Sequence, residues 1–335
     1  MNLKLLFKRG ALIAAGNWPI VAVQFIAETT FQALLAVPIV GAAVLAASLV
    51  GRDLADLLGG SLREMFGRIA DTLTSEPVAL AAFITACALV VLGGSVLTFL
   101  VKGGTVEVLA TAGRSVRAIE TEPVTLHLVG SASRFTLERF MSGCRRLSRR
   151  YVSLGLLLMV AYAVSGLAYL AFVVYGYRAA GDRVPVLGWT FVAGVAAILL
   201  VIWITIVNLI YLLLQIAIAV QNTGVLGAVP IVARFVRAEF RPLARVFVVE
   251  LALVVGATWA SALAWSGVGL IAFVPLVGVA VLPLQLAALV LRGLVFQYIG
   301  LSALGAYLTL FAGHASHLEA PKASTLTSSP IGHPA

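Results

Sequence analysis

Charged residues are scarce in this chain. Asp, Glu, Lys and Arg make up 11% of its 335 residues, against roughly a quarter in a soluble domain. Hydrophobic residues make up 61%, and the mean hydropathy is +1.06. The apolar runs follow one another so closely that no stretch of ordinary length is left for a soluble domain. The composition therefore excludes a soluble protein and predicts a single domain embedded in a membrane.

Cysteine and histidine are also scarce, which limits the chemistry that the chain can perform. The two cysteines, Cys87 and Cys144, provide neither a disulfide framework nor a zinc site. All four histidines lie outside the longest apolar runs, so a serine–histidine pair within the membrane is not expected. The sequence has no HExxH motif, phosphate-binding loop or paired acidic metal motif. We therefore predict no catalytic residue, no metal site and no cofactor.

Six apolar runs are long enough to cross a membrane, since a helix needs about 20 apolar residues to span roughly 30 Å of hydrocarbon. The predicted fold is all-α and polytopic, with one transmembrane domain over residues 1–312. The polar, proline-containing tail 313–335 is predicted to be disordered and cytoplasmic. The apolar stretch 267–283 is short and carries two prolines, so a re-entrant or buried segment is favoured over a seventh span. The predicted spans are 31–50, 78–101, 152–176, 188–218, 247–266 and 284–311.

The distribution of positive charge predicts the orientation of the chain. If both termini are cytoplasmic, seventeen of the 23 Lys and Arg residues fall on the cytoplasmic side and five on the opposite side. Positive charge is retained preferentially on the cytoplasmic side of a membrane. The basic residues lie beside apolar spans, so we expect anionic membrane lipids rather than a nucleic acid as their partners.

Two basic stretches are followed directly by an apolar run. RFMSGCRRLSRRYVSLGLLLMV covers residues 139–160, and RFVRAEFRPLARVFVVELALVV covers residues 234–255. Each half of the chain then reads as span, glycine, basic amphipathic helix and span, which predicts interfacial elbow helices in a parallel internal repeat. The alternative is that any cytoplasmic loop between two spans is basic. The arginines predicted to contact lipid headgroups are Arg145, Arg146, Arg149, Arg150, Arg234, Arg237, Arg241 and Arg245.

The second elbow and the last span carry a family resemblance. With RFVRAEFRPLARVF before the fifth span and GLVFQYIGLSALGAYLTLF as the last, residues 80–311 resemble bacterial six-helix membrane proteins such as the membrane domain attached to some glycerophosphodiester phosphodiesterases. The resemblance implies an α-helical domain of a bacterial-type cytoplasmic membrane and work related to lipids. It does not imply phosphodiesterase activity, since these residues contain no catalytic phosphodiesterase domain.

Two charged residues lie within predicted spans, where polar groups are costly and usually have a function. Arg292 is about 12 Å into the last span. It could bind a substrate or a lipid phosphate, or it could form a structural ion pair or extend to the outer surface. Glu250 lies near the inner end of the fifth span and could bind a ligand or reach the interface.

Two polar stripes indicate further candidate residues. Glu28 belongs to the first stripe, which either lines a polar interior or faces the cytoplasm on an interfacial helix. Asn208 and Gln215 belong to the second, which either contributes to a site or forms hydrogen bonds between helices. The first stripe consists of Gln24, Glu28 and Gln32, and the second of Thr205, Asn208, Tyr211 and Gln215.

Small residues recur every fourth position on the fifth span, which predicts close helix packing. They are Ala252, Gly256, Ala260 and Ala264. From these features we expect a non-enzymatic protein that handles or senses a lipid or small solute, with polar groups of spans one, four and six facing a shared interior. The alternative is a scaffold whose elbows and small-residue face bind another membrane protein or a second copy. An unrecognised membrane enzyme is a third hypothesis.

Overall fold

The computed structural model of the protein describes residues 2–50, 75, 77–116, 119–180, 186–272 and 277–324. Within these ranges the chain is helical and has no strand. The all-α class is therefore confirmed. The chain divides into two compact units: the smaller is Val23–Lys102, and the larger combines Met1–Ala22 with Gly103–Ala335. In chain order the helices are α1 (Leu3–Gly16), α2 (Trp18–Val50), α3 (Pro77–Ser115), α4 (Leu126–Ser131), α5 (Leu137–Ala180), α6 (Val186–Gln221), α7 (Val225–Ala238), α8 (Phe240–Ala272) and α9 (Val277–Ser324).

Six helices in the described part of the chain are long and apolar enough to cross a membrane, which confirms the predicted polytopic architecture. In the most apolar window of each helix, at most 17% of the residues are buried inside the protein. Such exposure of apolar side chains suits helices surrounded by lipid. The chain is an integral membrane protein. Its candidate spans are Trp18–Gly41, Leu80–Ser115, Leu137–Arg178, Gly188–Gln221, Phe240–Ala264 and Pro283–Ala315.

The two predicted elbows have different structures. Residues 139–150 are the first part of the continuous helix α5, so the prediction of a separate elbow helix is wrong there. The second elbow does include a separate amphipathic helix, α7, which ends before α8 begins at Phe240. Pro242 occupies the position that aligns with Leu147 in the first stretch. Proline lacks an N–H donor and fits best in the first turn of a helix, so Pro242 favours a helix that begins close to it.

Two other boundaries differ from the sequence prediction, and the prediction of a re-entrant or buried segment at 267–283 is not tested. The first span belongs to α2, which runs without a break from Trp18 rather than following an interfacial helix. The stretch 267–283 is divided between the end of α8 and the start of α9, and residues 273–276 lie outside the described part. Helix α9 continues to Ser324, beyond Gly313 where disorder was expected, and residues 325–335 are not described. An existing helix extends more readily than a new one begins, because nucleation has already occurred.

The core of the larger unit forms around α1 and the C-terminal half of α9. Helix α1 packs on α9, and its C-terminal end is fixed by the buried side chain of Asn17. The Asn17 amide nitrogen donates to the carbonyl oxygens of Ile13 and Ala132, and its oxygen accepts from the backbone N–H of Arg134. One buried side chain thus joins α1 to the segment around α4 and gives all its polar atoms a partner.

The smaller unit, Val23–Lys102, contains most of α2 and the first two thirds of α3. The ring of Phe31 lies so close to Gly94 that a Cβ atom on this glycine would be 1.9 Å from a ring carbon. The absence of a side chain at Gly94 therefore allows the two helices to pack at this point.

Candidate functional site

Arg292 lies in a groove between α8 and α9, and its side chain is exposed. The guanidinium carbon is 5.7 Å from the centre of the Phe296 ring. Cations are attracted to the face of an aromatic ring at this distance. Among the described residues, this guanidinium has neither a hydrogen bond nor an ion pair, so the predicted structural ion pair is not formed there.

The groove has a volume of about 400 Å³, and most of its wall is apolar. The groove is open on the side of α8 because the side chains there are small, and larger side chains on α9 form its other wall. An exposed apolar groove with one unpaired cation is suited to a molecule that combines a hydrocarbon part with a negative charge. Its wall includes Ala257, Ala260, Ser261 and Ala264 on α8, and Arg292 and Phe296 on α9.

The predicted small-residue face is only partly used within the chain. Ala252, Gly256, Ala260 and Ala264 are all exposed, and a Cβ atom on Gly256 would have no neighbour within 4 Å. Ala260 and Ala264 border the groove instead of contacting a helix closely. Alanine and glycine bury little apolar area, so the larger residues of the core decide where α9 lies against α8. No helix of the described chain therefore packs closely along this whole face, and close packing there stays a prediction for a partner helix.

Glu250 forms a hydrogen bond between helices. The hydroxyl of Tyr307 in α9 donates to Oε2 of Glu250 in α8 over 2.7 Å, and the Tyr307 side chain is fully buried. This contact connects the two helices between the groove and the C-terminal end of α9. Glu250 is half-buried rather than fully exposed at the membrane interface. Nothing in the sequence pattern indicated Tyr307, because the two residues are far apart in the chain and meet only after folding.

The polar residues of α6 mainly hold α5 and α6 together. The hydroxyl of Tyr162 donates to Oδ1 of Asn208, and Trp203 Nε1 donates to Ser165 Oγ over 3.0 Å. Asn208 therefore forms a hydrogen bond between helices, which was the alternative to a contribution to a binding site.

Gln215 belongs to a buried cluster in the same helix pair, near the C-terminal end of α6. Its side chain is 1% exposed, and its backbone oxygen accepts a 2.8 Å hydrogen bond from the Tyr151 hydroxyl. The Tyr211 hydroxyl is also buried in this cluster. No hydrogen bond, ion pair or ring contact in the described part of the chain joins Arg292 to Asn208 or Gln215. Among the described residues, the polar side chains predicted for spans four and six therefore do not contact one another directly.

In the smaller unit, a cation on another helix interacts with the first polar stripe, and it was not identified from the sequence. Gln32 Nε2 donates to Glu28 Oε1 over 3.5 Å, and both side chains are exposed. Lys102 of α3 is close enough to Glu28 for their opposite charges to interact. A helical stripe could be recognised from its spacing in sequence, whereas a partner on another helix could not.

Several elbow arginines are engaged within the protein. Arg146 pairs with Glu107 of α3, and Arg150 Nη1 donates to Asn222 Oδ1 over 2.6 Å. Asn222 follows the last residue of α6 and has a φ of 51°, a left-handed conformation that commonly ends helices. Arg234 donates to the carbonyl oxygen of Pro230 in its own helix. The elbow arginines that remain exposed, with no guanidinium partner among the described residues, are Arg145, Arg149, Arg237, Arg241 and Arg245.

Potential metal ligands are dispersed in the part of the chain that the structure describes, where no group of three or more His, Cys, Asp or Glu occurs. His314 Nδ1 is 3.7 Å from Glu239 Oε1, and its ring meets Phe235 edge-on. Cys87 and Cys144 are separate free thiols. His314 and Glu239 thus connect α9 with the junction of α7 and α8, and they do not make a metal centre.

Comparisons with protein families, curated proteins and solved structures gave no match. The resemblance to the membrane domain of glycerophosphodiester phosphodiesterases therefore stays a prediction, as does the lipid-related work that it implies.

Proposed function

We propose that this integral membrane protein binds an anionic membrane lipid, with the lipid phosphate at Arg292 and an acyl chain along the groove between α8 and α9. The protein handles or senses this lipid without catalysing a reaction on it. The observation that supports the proposal most directly is the absence of any acidic or hydrogen-bonding partner for Arg292 among the described residues. A cation in a membrane span needs such a partner, and a phosphate would provide it.

The shape of the groove supports a lipid rather than a small inorganic anion. Its volume of about 400 Å³ exceeds what one phosphate needs, and apart from Ser261 the wall beyond Arg292 consists of alanine, leucine, valine and phenylalanine. Each acyl CH₂ group that is buried contributes about 0.8 kcal/mol where it leaves water. Within a bilayer this gain is small, so the charge of the headgroup provides the selectivity.

In the orientation that the positive charges favour, both termini lie on the cytoplasmic side of a bacterial-type cytoplasmic membrane. Helix α9 then runs inward, and Arg292 lies about 14 Å along it from Pro283, within the outer leaflet. The exposed arginines of the elbows, including Arg241 and Arg245, are at the inner surface, where they contact anionic headgroups less selectively.

Native mass spectrometry of the gently extracted protein tests the proposal. Wild type is expected to retain an anionic phospholipid, and Arg292→Ala is expected to lose it. Arg292→Lys keeps the charge but cannot form the bidentate contact of a guanidinium with phosphate, so it should retain an intermediate amount of the lipid. Arg178→Ala is the matched control, because it removes an exposed arginine at the outer end of another span, away from the groove. Identical lipid retention in wild type and Arg292→Ala would exclude Arg292 as a headgroup site.

The alternative function is a scaffold that binds another membrane protein or a second copy through the exposed face of α8. It is supported by the free space at Gly256, where a Cβ atom would contact nothing within 4 Å. Gly256→Leu should therefore fold normally but block the close approach of a partner helix. Co-purification of a stoichiometric partner with wild type, and its loss in Gly256→Leu, would favour the scaffold.

A further inference from the structure

A second cavity lies at the other end of α9, where three candidate spans finish. It has a volume of about 380 Å³ and is bordered by α1, the last turns of α3 and α6, and α9. The spans that meet here end at Ser115, Gln221 and Ala315. The cavity is thus at one surface of the membrane, far along α9 from the groove at Arg292.

Two arginines, Arg9 and Arg114, line this cavity, and they differ in their hydrogen bonds. Arg9 is held on one side, because Nη1 pairs with Glu120 at 2.9 Å and Nη2 donates to the carbonyl oxygens of Gly113 and Val116. Its Nε–H is buried and has no hydrogen-bond partner among the described residues. Arg114 is exposed at the same cavity, and within the described part of the chain its guanidinium has no partner at all.

The charge of the cavity is therefore positive. Glu120 offsets the charge of Arg9, whereas nothing in the described ranges offsets that of Arg114. The described wall contains no acidic residue, and Ile13, Leu109 and Leu308 provide apolar surface. Pockets that bind small ligands commonly have roughly this size, with a few polar groups in an apolar wall. Guanidinium groups recognise phosphate oxygens through paired, charge-assisted hydrogen bonds.

We propose that this cavity is a binding site for a phosphate group, held by Arg114 beside the second arginine of the wall, Arg9. The phosphate belongs either to a soluble phosphate compound or to the headgroup of a lipid in the adjacent leaflet. Bound there, it neutralises the charge of Arg114. The site is independent of the groove at Arg292, so either one can be occupied without the other.

Arg114 and Gly113 are the positions at which to test the site. Arg9 also holds the segment from Gly113 to Glu120, so its removal would disturb the fold. Arg114→Ala removes the unpaired charge alone. Gly113→Leu fills the cavity: a Cβ atom at this position would contact only Ile13 Cδ1, at 3.9 Å, so the backbone need not move. Lys4→Ala is the control, because it removes an exposed cation from α1 without touching the cavity.

The full-length protein in detergent is titrated with inorganic phosphate by calorimetry. It is also incorporated into bilayers of phosphatidylglycerol and phosphatidylcholine and analysed for retained lipid. Saturable phosphate binding that weakens about tenfold or more in Arg114→Ala and Gly113→Leu, but not in Lys4→Ala, supports a soluble ligand. Lack of phosphate binding, with phosphatidylglycerol retention lost in the same two variants only, supports a lipid headgroup. The proposal is overturned if neither probe binds selectively, or if Lys4→Ala weakens binding as much as Arg114→Ala does.

Discussion

The backbones of Gly10 in α1 and Gly305 in α9 are in direct contact. A Cβ atom on Gly305 would lie 2.9 Å from the Cα atom of Gly10, and one on Gly10 would lie 2.1 Å from the carbonyl oxygen of Ser302. Neither glycine can carry a side chain unless the helices separate. This crossing fixes α1 against α9 and so forms one wall of the cavity that contains Arg9.

Gly10→Ala should therefore lower the stability of the protein. Forcing extra atoms into a close-packed contact costs typically about 1–3 kcal/mol, because backbones and side chains must shift. Thermal unfolding in detergent, followed by circular dichroism, measures the effect. Gly300→Ala is the matched control on α9, since a Cβ atom there would have no neighbour within 4 Å. Equal melting temperatures for the two variants would show that the crossing does not limit stability.

Tyr307→Phe should destabilise the protein by leaving the Glu250 carboxyl group without its donor. A buried polar group that loses its hydrogen-bond partner costs about 1–3 kcal/mol. The double variant Tyr307→Phe with Glu250→Leu should recover part of this loss, because it removes both polar groups. Melting temperatures of the single and double variants, with Tyr175→Phe as an exposed control, measure the coupling. Additive effects of the two substitutions would contradict a direct interaction.

Two pairs of arginine with glutamate in the larger unit, Arg9 with Glu120 and Arg146 with Glu107, should differ in their contribution to stability. The Arg9 and Glu120 side chains are 15% and 9% exposed, whereas those of Arg146 and Glu107 are 42% and 20% exposed. Breaking a buried pair costs about 3 kcal/mol or more, while an exposed pair contributes about 1 kcal/mol or less. Glu120→Gln should therefore lower the melting temperature more than Glu107→Gln. A larger effect of Glu107→Gln, measured at the same ionic strength, would reverse this ranking.

The predicted orientation can be tested by labelling single cysteines. In a chain carrying Cys87→Ser and Cys144→Ser, a membrane-impermeant maleimide should label Ser142→Cys in inverted vesicles but not in spheroplasts. It should label Tyr177→Cys in spheroplasts, because the other end of α5 lies at the outer surface if both termini are cytoplasmic. Both residues are exposed at opposite ends of this helix. The reverse labelling pattern would place the termini outside.

The unusual residues of the candidate sites were easier to predict than their surroundings. Arg292 could be recognised because a cation within an apolar run is rare and costly wherever the helix lies. The groove beside it depends on the distance between α8 and α9, which no local pattern specifies. Lys102 was missed as the partner of Glu28 for the same reason. The predicted packing face at Gly256 shows the reverse case, since small residues permit a close contact but do not supply the helix that makes it.

The sequence by itself determined that the chain is helical, that it spans a membrane and that it has about six spans. These properties are local, because a backbone in hydrocarbon must satisfy its own hydrogen bonds within each apolar run. Tertiary structure alone decided which side chains meet. The contacts of Tyr307 with Glu250, Arg9 with Glu120, and Gly10 with Gly305 join residues far apart in the chain. They form only when whole helices pack, and that packing depends on the combined shapes of many side chains.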